Sequence, residues 1–319
     1  VLSLGVRANY WGYNNEVNVS PRAGLAYKPG WNNDMLFRLS GGVYVQPPFY
    51  RELRMFDGSL VKPENATTQK SYQVVLTHEY NFNAWDRPFV LTSELYFKYL
   101  KDIIPYEVDN IRIRYYADQK ATGYATGLDI RLNGEFVKGI DSWASLSIMK
   151  SAENIKYYLS PTGSILTQTQ VDNGTEYVSD TIIKGIPRPS DQRINFSLFF
   201  QDYLPYIPSF KVNLKLVFGT GMPFGTPYGE RYTQKMRMSA YRRVDIGFSK
   251  QLISETTSFK KGNPLSHIKN FWISLEIFNL LGISNVSSYM WVTDVYNIQY
   301  AVPNYLTPRQ INLKLNVEL

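Results

Sequence analysis

Residues Ile311-Asn312-Leu313-Lys314-Leu315-Asn316-Val317-Glu318-Leu319 alternate apolar and polar side chains without interruption. Successive side chains of a strand point to opposite faces, so this segment has one apolar face and one polar, partly charged face. The same two-residue period returns along the whole chain, in segments of about 9 to 11 residues, the length with which a tilted strand crosses a bilayer. One such strand is ordinary in a soluble sheet. About a dozen of them, with no convincing segment of helical period, confine the chain to antiparallel sheet.

The faces are read by asking which parity carries the apolar side chains. Leu2, Leu4, Val6, Ala8 and Tyr10 form the first, Val19, Ala23, Leu25 and Tyr27 the second, and Phe37, Leu39, Val43 and Val45 the third. Tyr72, Val74 and Leu76 follow, then Phe89, Leu91, Leu95, Phe97 and Tyr99, then Leu128, Ile130, Leu132 and Phe136. The next are Ala144, Leu146 and Ile148; Ile194, Phe196, Leu198 and Phe200; and Phe210, Val212, Leu214, Leu216 and Phe218. Val244, Ile246 and Phe248, then Phe271, Ile273, Leu275 and Ile277, precede the terminal segment and bring the count to twelve. Charges gather on the opposite parity, as Asp129, Arg131 and Glu135 do in the sixth. A charge at the bilayer midplane costs about 2 to 4 kcal/mol, whereas an interior face can hydrate it.

Composition agrees with a membrane barrel. Mean hydropathy is slightly negative, yet aromatic residues make up 15% of the chain, with 25 tyrosines against 17 phenylalanines. Rings with one dry end and one wet end suit the two interfaces of a bilayer. No run of 18 apolar residues offers a transmembrane helix. The chain has no cysteine, which removes disulfides and thiolate metal sites. The opening Val1-Leu2-Ser3-Leu4-Gly5-Val6-Arg7 already reads as strand and not as a signal peptide. The connections alternate in length: short turns are expected near 29–34, 83–87, 138–141 and 203–208, and long connections over 46–69, 101–121, 154–189 and 221–241. The connection over 254–267 breaks that rule.

Several short motifs in order carry a family resemblance. Tyr241-Arg242-Arg243-Val244-Asp245, Leu275-Glu276-Ile277-Phe278-Asn279-Leu280-Leu281, and Pro308-Arg309 leading into the terminal strand resemble the C-terminal end of TonB-dependent outer-membrane transporters, most closely those of Bacteroidota-like bacteria. Ser20-Pro21-Arg22, Pro63-Glu64 and Gly123-Tyr124-Ala125-Thr126-Gly127-Leu128-Asp129 are similar to earlier stations of such barrels. Two residues depart from the pattern: Leu319 ends the chain where an aromatic is usual, and Asp129 stands where Glu is more common.

The resemblance implies an all-β, antiparallel transmembrane β-barrel in the outer membrane of a Gram-negative bacterium. The about twelve strands of residues 1–319 would be the C-terminal part of a single barrel domain of about 22 strands, with the plug domain lying elsewhere. It also implies active import of a scarce nutrient such as chelated iron, haem, cobalamin, a glycan or a peptide. The expected partners are outer-membrane lipid, TonB-ExbB-ExbD acting through an N-terminal part, and a surface lipoprotein lid.

Ligand contact is expected in the extracellular loops. Phe49, Tyr50, Arg51 and Arg54 combine aromatic rings with guanidinium groups that can stack on a ligand and pair with carboxylate or phosphate. Tyr289, Trp291 and Tyr296 form a second aromatic group, and interface anchoring or loop packing is the alternative for both. Enzymatic chemistry is not expected, because His78 and His267 are the only histidines and stand in no nucleophile or metal-ligand pattern. No cofactor is implied. The net charge of +7 is scattered, with Lys260-Lys261 its one short run, and does not form the basic patch of a nucleic-acid binder. Asn65, Asn173 and Asn285 each open an N-glycosylation pattern, read as accidental in a bacterial membrane protein. The rival readings are a self-contained twelve-strand channel, in which the first strand pairs with the last, and a scaffold that presents its loops.

Overall fold

A computed structural model of the chain describes residues 1–166, 170–171, 174–204, 207–226, 230–255, 257–259 and 263–319. Asn173, Lys260, Lys261 and the centre of the turn expected over 203–208 lie outside them. All twelve alternating segments are strands: β1 (Leu2–Trp11), β2 (Glu16–Tyr27), β3 (Asp34–Gln46), β4 (Gln69–Ala84), β5 (Arg87–Ile103) and β6 (Ala121–Val137), followed by β7 (Ile140–Leu159), β8 (Ile194–Leu204), β9 (Ile207–Gly219), β10 (Tyr241–Ile253), β11 (Asn270–Phe278) and β12 (Gln310–Glu318). Each pairs antiparallel with the next in one continuous path, so the wall is a meander in chain order.

The register aligns apolar residues from strand to strand. Leu2, Leu25, Leu39, Leu76, Leu95, Leu128, Ile148 and Ile194 are successive cross-strand partners from β1 to β8. A second row runs Leu91, Leu132, Ala144, Leu198, Leu216 and Val244, and a third Phe200, Leu214, Ile246, Ile277 and Ile311. A slip of one residue would turn a strand's apolar set to the polar face, so these rows hold the register. The rows face outward: Leu25 is 52% exposed, Leu95 56% and Ile311 71%. A continuous exposed apolar surface of this kind needs lipid against it.

Aromatic residues bound this apolar band at both ends. Tyr72, Tyr99 and Tyr124 are neighbours across β4, β5 and β6 at the end that carries the long connections. At the other end Phe89 is surrounded by Phe82, Trp85 and Phe136, with ring centroids 5.6, 5.9 and 5.1 Å away. Ten residues of β5 separate Phe89 from Tyr99, about 33 Å along the strand and roughly 25 Å once tilted, the height of the apolar band of a membrane barrel. His78 lies on the same outward face, stacked on Phe37 at 4.9 Å, and so packs as part of the lower aromatic group.

The turns follow the expected chemistry. Trp85 and Asp86 link β4 to β5 with φ of 52° and 57°, the left-handed pair that suits the twist of a two-residue hairpin. Two connections break the alternation of lengths. The β1–β2 turn over 12–15 is short although it lies at the long-connection end, and the β10–β11 connection at the short-turn end is extended and carries the 3-10 turn Pro264–His267. Among the described residues no ladder joins β1 to β12, so the pairing that a self-contained twelve-strand barrel requires is not formed.

Most buried apolar residues collect at the long-connection end and not between layers of the wall. Ile103, Ala121, Ile155, Tyr157 and Ile186 form one cluster there, and Leu53, Val61, Ala66 and Ala117 another. The molecule is dry where its loops pack and apolar-outward where its strands span, the reverse of a soluble sheet.

Candidate functional site

The long connections carry structure of their own. Tyr106–Asp109 and Arg112–Tyr115 form a hairpin whose reversal uses Asn110 at φ 55°, a residue that tolerates this conformation. Ser179–Pro187 adds a strand to the upper part of β7, and Val286–Thr293 pairs with Gln299–Tyr305 in the last connection. These elements all lie at the long-connection end of the wall.

Phe49, Tyr50, Arg51 and Arg54 stand on the 47–68 connection and all four are exposed. Their base is fixed. Leu53, between the two arginines, is buried with Val61 and Ala66, and the Glu52 carboxylate accepts hydrogen bonds from the Phe49 amide at 2.8 Å and the Gln69 side chain at 3.1 Å. Close by, Phe56 meets Tyr116 edge-on at 5.3 Å and lies 4.7 Å beneath the Arg114 guanidinium. Rings and cations are therefore presented on a packed loop.

Tyr289 and Trp291 are differently engaged. Tyr289 stacks on Phe224 with ring centroids 4.4 Å apart, and Trp291 lies 6.3 Å from the same ring. Tyr296 is 81% exposed at the hairpin tip, where the Asp294 carboxylate accepts from the amides of Tyr296 and Ile298, both at 2.9 Å. The hairpin's base is anchored by Ser288 and Asn304, which donate to the Asn110 side-chain oxygen at 2.7 and 2.8 Å. Among the described residues no hydrogen bond, ion pair or ring stacking joins this group to Phe49, Tyr50, Arg51 or Arg54.

Between the connections lies a buried polar cluster that sequence reasoning missed. Glu107 is 2% exposed and accepts hydrogen bonds from the Tyr116 hydroxyl at 2.9 Å and Gln234 at 3.0 Å, with Arg114 at 3.1 Å as its ion-pair partner. Burial pushes the Glu107 carboxyl above the usual carboxylate range, against the pull of the Tyr116 hydroxyl and the Arg114 charge. Glu153 lies between Arg231 at 2.9 Å and Arg188 at 3.1 Å. Asp191 accepts from the Ser151 amide at 2.6 Å and from Arg193 at 2.8 Å, and also binds Arg237. The sequence trace of this cluster is a set of charged residues in and beside the long connections, with no period to link them.

The motif residues near the C-terminal end also meet. Asp245 accepts from the Arg243 side chain at 2.6 Å and from the Asn279 amide at 2.8 Å, with Asn279 held at φ 53°. Asn285 binds both the amide and the carbonyl of Arg242 at 2.8 Å, so the amide that opened a glycosylation pattern is buried in a structural contact. This cluster steers the chain out of β11.

No protein-family model and no curated protein matches the chain. Solved structures do. The chain is similar to the ferric-catecholate import receptor Fiu of Escherichia coli K12 in its closed form, at TM-score 0.58 and 15% identity over 95% of this chain and 35% of that one. It is also similar to the outer membrane transporter YddB of Escherichia coli, at TM-score 0.60 and 15% identity over 98% of this chain and 43% of that one. The chain thus spans about a third to two fifths of the length of these proteins, and its fold is that of an outer-membrane transporter's antiparallel barrel wall.

Proposed function

We propose that the chain is the C-terminal barrel wall and external loops of a TonB-dependent outer-membrane importer of a scarce nutrient. The observation that carries this reading is the fold itself: twelve strands with apolar faces outward and long connections at one end, similar over 95 to 98% of the chain to two outer-membrane transport proteins. Among the described residues both edges of the wall are unpaired, and unpaired strand edges in lipid cost several kcal/mol for each backbone group. Further strands of the same protein would cover them, and a plug would fill the interior. TonB-ExbB-ExbD would act on that N-terminal part, and a lipoprotein lid would sit over the loops. Chelated iron, haem, cobalamin, a glycan and a peptide all remain as the nutrient.

In this reading Phe49, Tyr50, Arg51 and Arg54 form the first contact for an incoming ligand, with Tyr289, Trp291 and Tyr296 on the hairpin of the last connection. The test is uptake by cells that carry the full-length protein, offered each nutrient class with and without a protonophore. Uptake should stop with the protonophore. Tyr50→Ala and Arg54→Ala should each weaken uptake about tenfold, the loss of one good stacking or charged contact, with the barrel's heat stability unchanged. Protonophore-insensitive flux with steady ion conductance in planar bilayers would replace the importer with a passive channel. Normal uptake by both variants would move ligand contact elsewhere.

A further inference from the structure

We infer that Arg231 is a positioning residue: with Glu153 and Gln234 it forms a buried lock that holds three of the long connections as one body and sets the aromatic surface at the mouth. The lock is independent of the import reading, which enters only in calling that surface a ligand surface.

Arg231 opens the 3-10 turn Arg231–Thr233 and is fully buried. Its Nε lies 2.9 Å from Glu153 Oε1, and its Nη2 donates to the Pro187 carbonyl at 2.6 Å. Glu153, also fully buried, is on β7, while Pro187 ends the added strand Ser179–Pro187. Gln234 follows directly after the 3-10 turn. Its Nε2 donates to Glu107 of the hairpin over 106–115 at 3.0 Å and to the Thr226 carbonyl of its own connection at 2.8 Å. One four-residue stretch thus reaches the wall and two other connections. Phe224 belongs to the same connection as Arg231, pairs with Met236, and is the ring on which Tyr289 and Trp291 lean.

The chemistry argues for positioning over stability. Arg231 Nη1, buried, has no hydrogen-bond partner among the described residues, and the Arg231 Nε–Glu153 Oε1 contact at 2.9 Å is an ion pair without hydrogen-bond geometry. A buried ion pair already returns little net stability after desolvation, and unmet donors lower the return further. Apolar side chains of similar volume in place of Arg231, Glu153 and Arg188 together would cost little stability. What they cannot do is fix direction, since only the guanidinium meets Glu153 and the Pro187 carbonyl at once.

Hydrogen exchange measured by mass spectrometry on the full-length protein in lipid nanodiscs tests this. Arg231→Gln should speed exchange about tenfold in 106–115, 179–187 and 286–305 together, with the bilayer-spanning part of the wall strands unchanged; the heat-denaturation midpoint falls, because Glu153 keeps only one of its two partners. Glu153→Leu with Arg188→Met and Arg231→Met, which removes Glu153 together with both of its guanidinium partners, should keep that midpoint near the parent's and still leave the three segments fast. Gln234→Ala, which spares the Arg231–Glu153 pair, should loosen 106–115 and leave 179–187 protected; it serves also if Arg231→Gln does not fold. Faster exchange confined to 230–237, or loops and wall loosening together, would overturn the lock, as would unchanged protection of 106–115 in Gln234→Ala.

Discussion

A Cβ at Gly127 would lie 2.5 Å from the Tyr96 hydroxyl and 2.7 Å from the Ile148 carbonyl oxygen. Tyr96 is the cross-strand partner of Gly127 on the polar face, and its ring lies over the space that the glycine leaves. Gly127→Val should therefore lower stability by about 1 to 3 kcal/mol, the usual cost of overpacking. Urea unfolding in lipid vesicles reads the loss, and adding Tyr96→Ala should recover part of it; an unchanged midpoint would mean that the ring simply swings away. The glycine was legible as part of Gly123-Tyr124-Ala125-Thr126-Gly127, whereas its partner was not, because the sequence does not state register. The same limit hid the lock. Arg231 sits in a short polar stretch with no periodicity, and Glu153, its partner, belongs to a strand read only as far as Ile148. Arg243, Asp245 and Asn279 were visible as motif residues, but only the fold joins them at one turn. Of the expected ligand residues, Phe49, Tyr50, Arg51 and Arg54 were found by composition, and the structure presents them outward; the packing of Tyr289 and Trp291 on Phe224 depends on a connection more than 50 residues away in sequence.

Strands were the most legible elements, because a bilayer on one side and water on the other impose a strict two-residue period. That period ends where the bilayer ends. The hairpin over 106–115 and the strand Ser179–Pro187 lie beyond it, with mixed exposure on both faces, and were read only as long connections. The length rule failed at 12–15 and 254–269 for a related reason: connection length outside the bilayer is set by what each loop packs against, not by the span. The two faces of one wall position give a direct test. Leu128→Arg, on the outward row, should cost about 2 to 4 kcal/mol. Ser147→Arg, on the inward face beside its cross-strand partner Asp129, should cost little, since the new charge remains hydrated and gains an acidic neighbour. Folding yield and urea midpoints in vesicles compare the two variants, and equal losses would mean that the outward face does not meet lipid.

At the scale of the molecule, twelve strands in chain order leave two edges, β1 and β12, that differ from every interior pair. Leu25 and Leu39 are direct cross-strand partners in β2 and β3, and such pairs bring Cα atoms to about 4.5 to 5.5 Å, within the range a disulfide bridges. The chain has no cysteine, so engineered pairs can be read without background. Leu25→Cys with Leu39→Cys should cross-link on oxidation in the membrane. Val6→Cys on β1 with Leu313→Cys on β12 should not, because in a larger barrel each of these edges pairs with another strand. Intermediate pairs scanned along β1 and β12 guard against a simple difference of register. Cross-linking at any β1–β12 pair would close the wall at twelve strands, leave no room for a plug of the size such importers use, and turn the proposed function toward a passive channel. Its absence, with the β2–β3 control formed, would mean that β1 and β12 do not meet in the membrane, as the larger barrel proposed above requires.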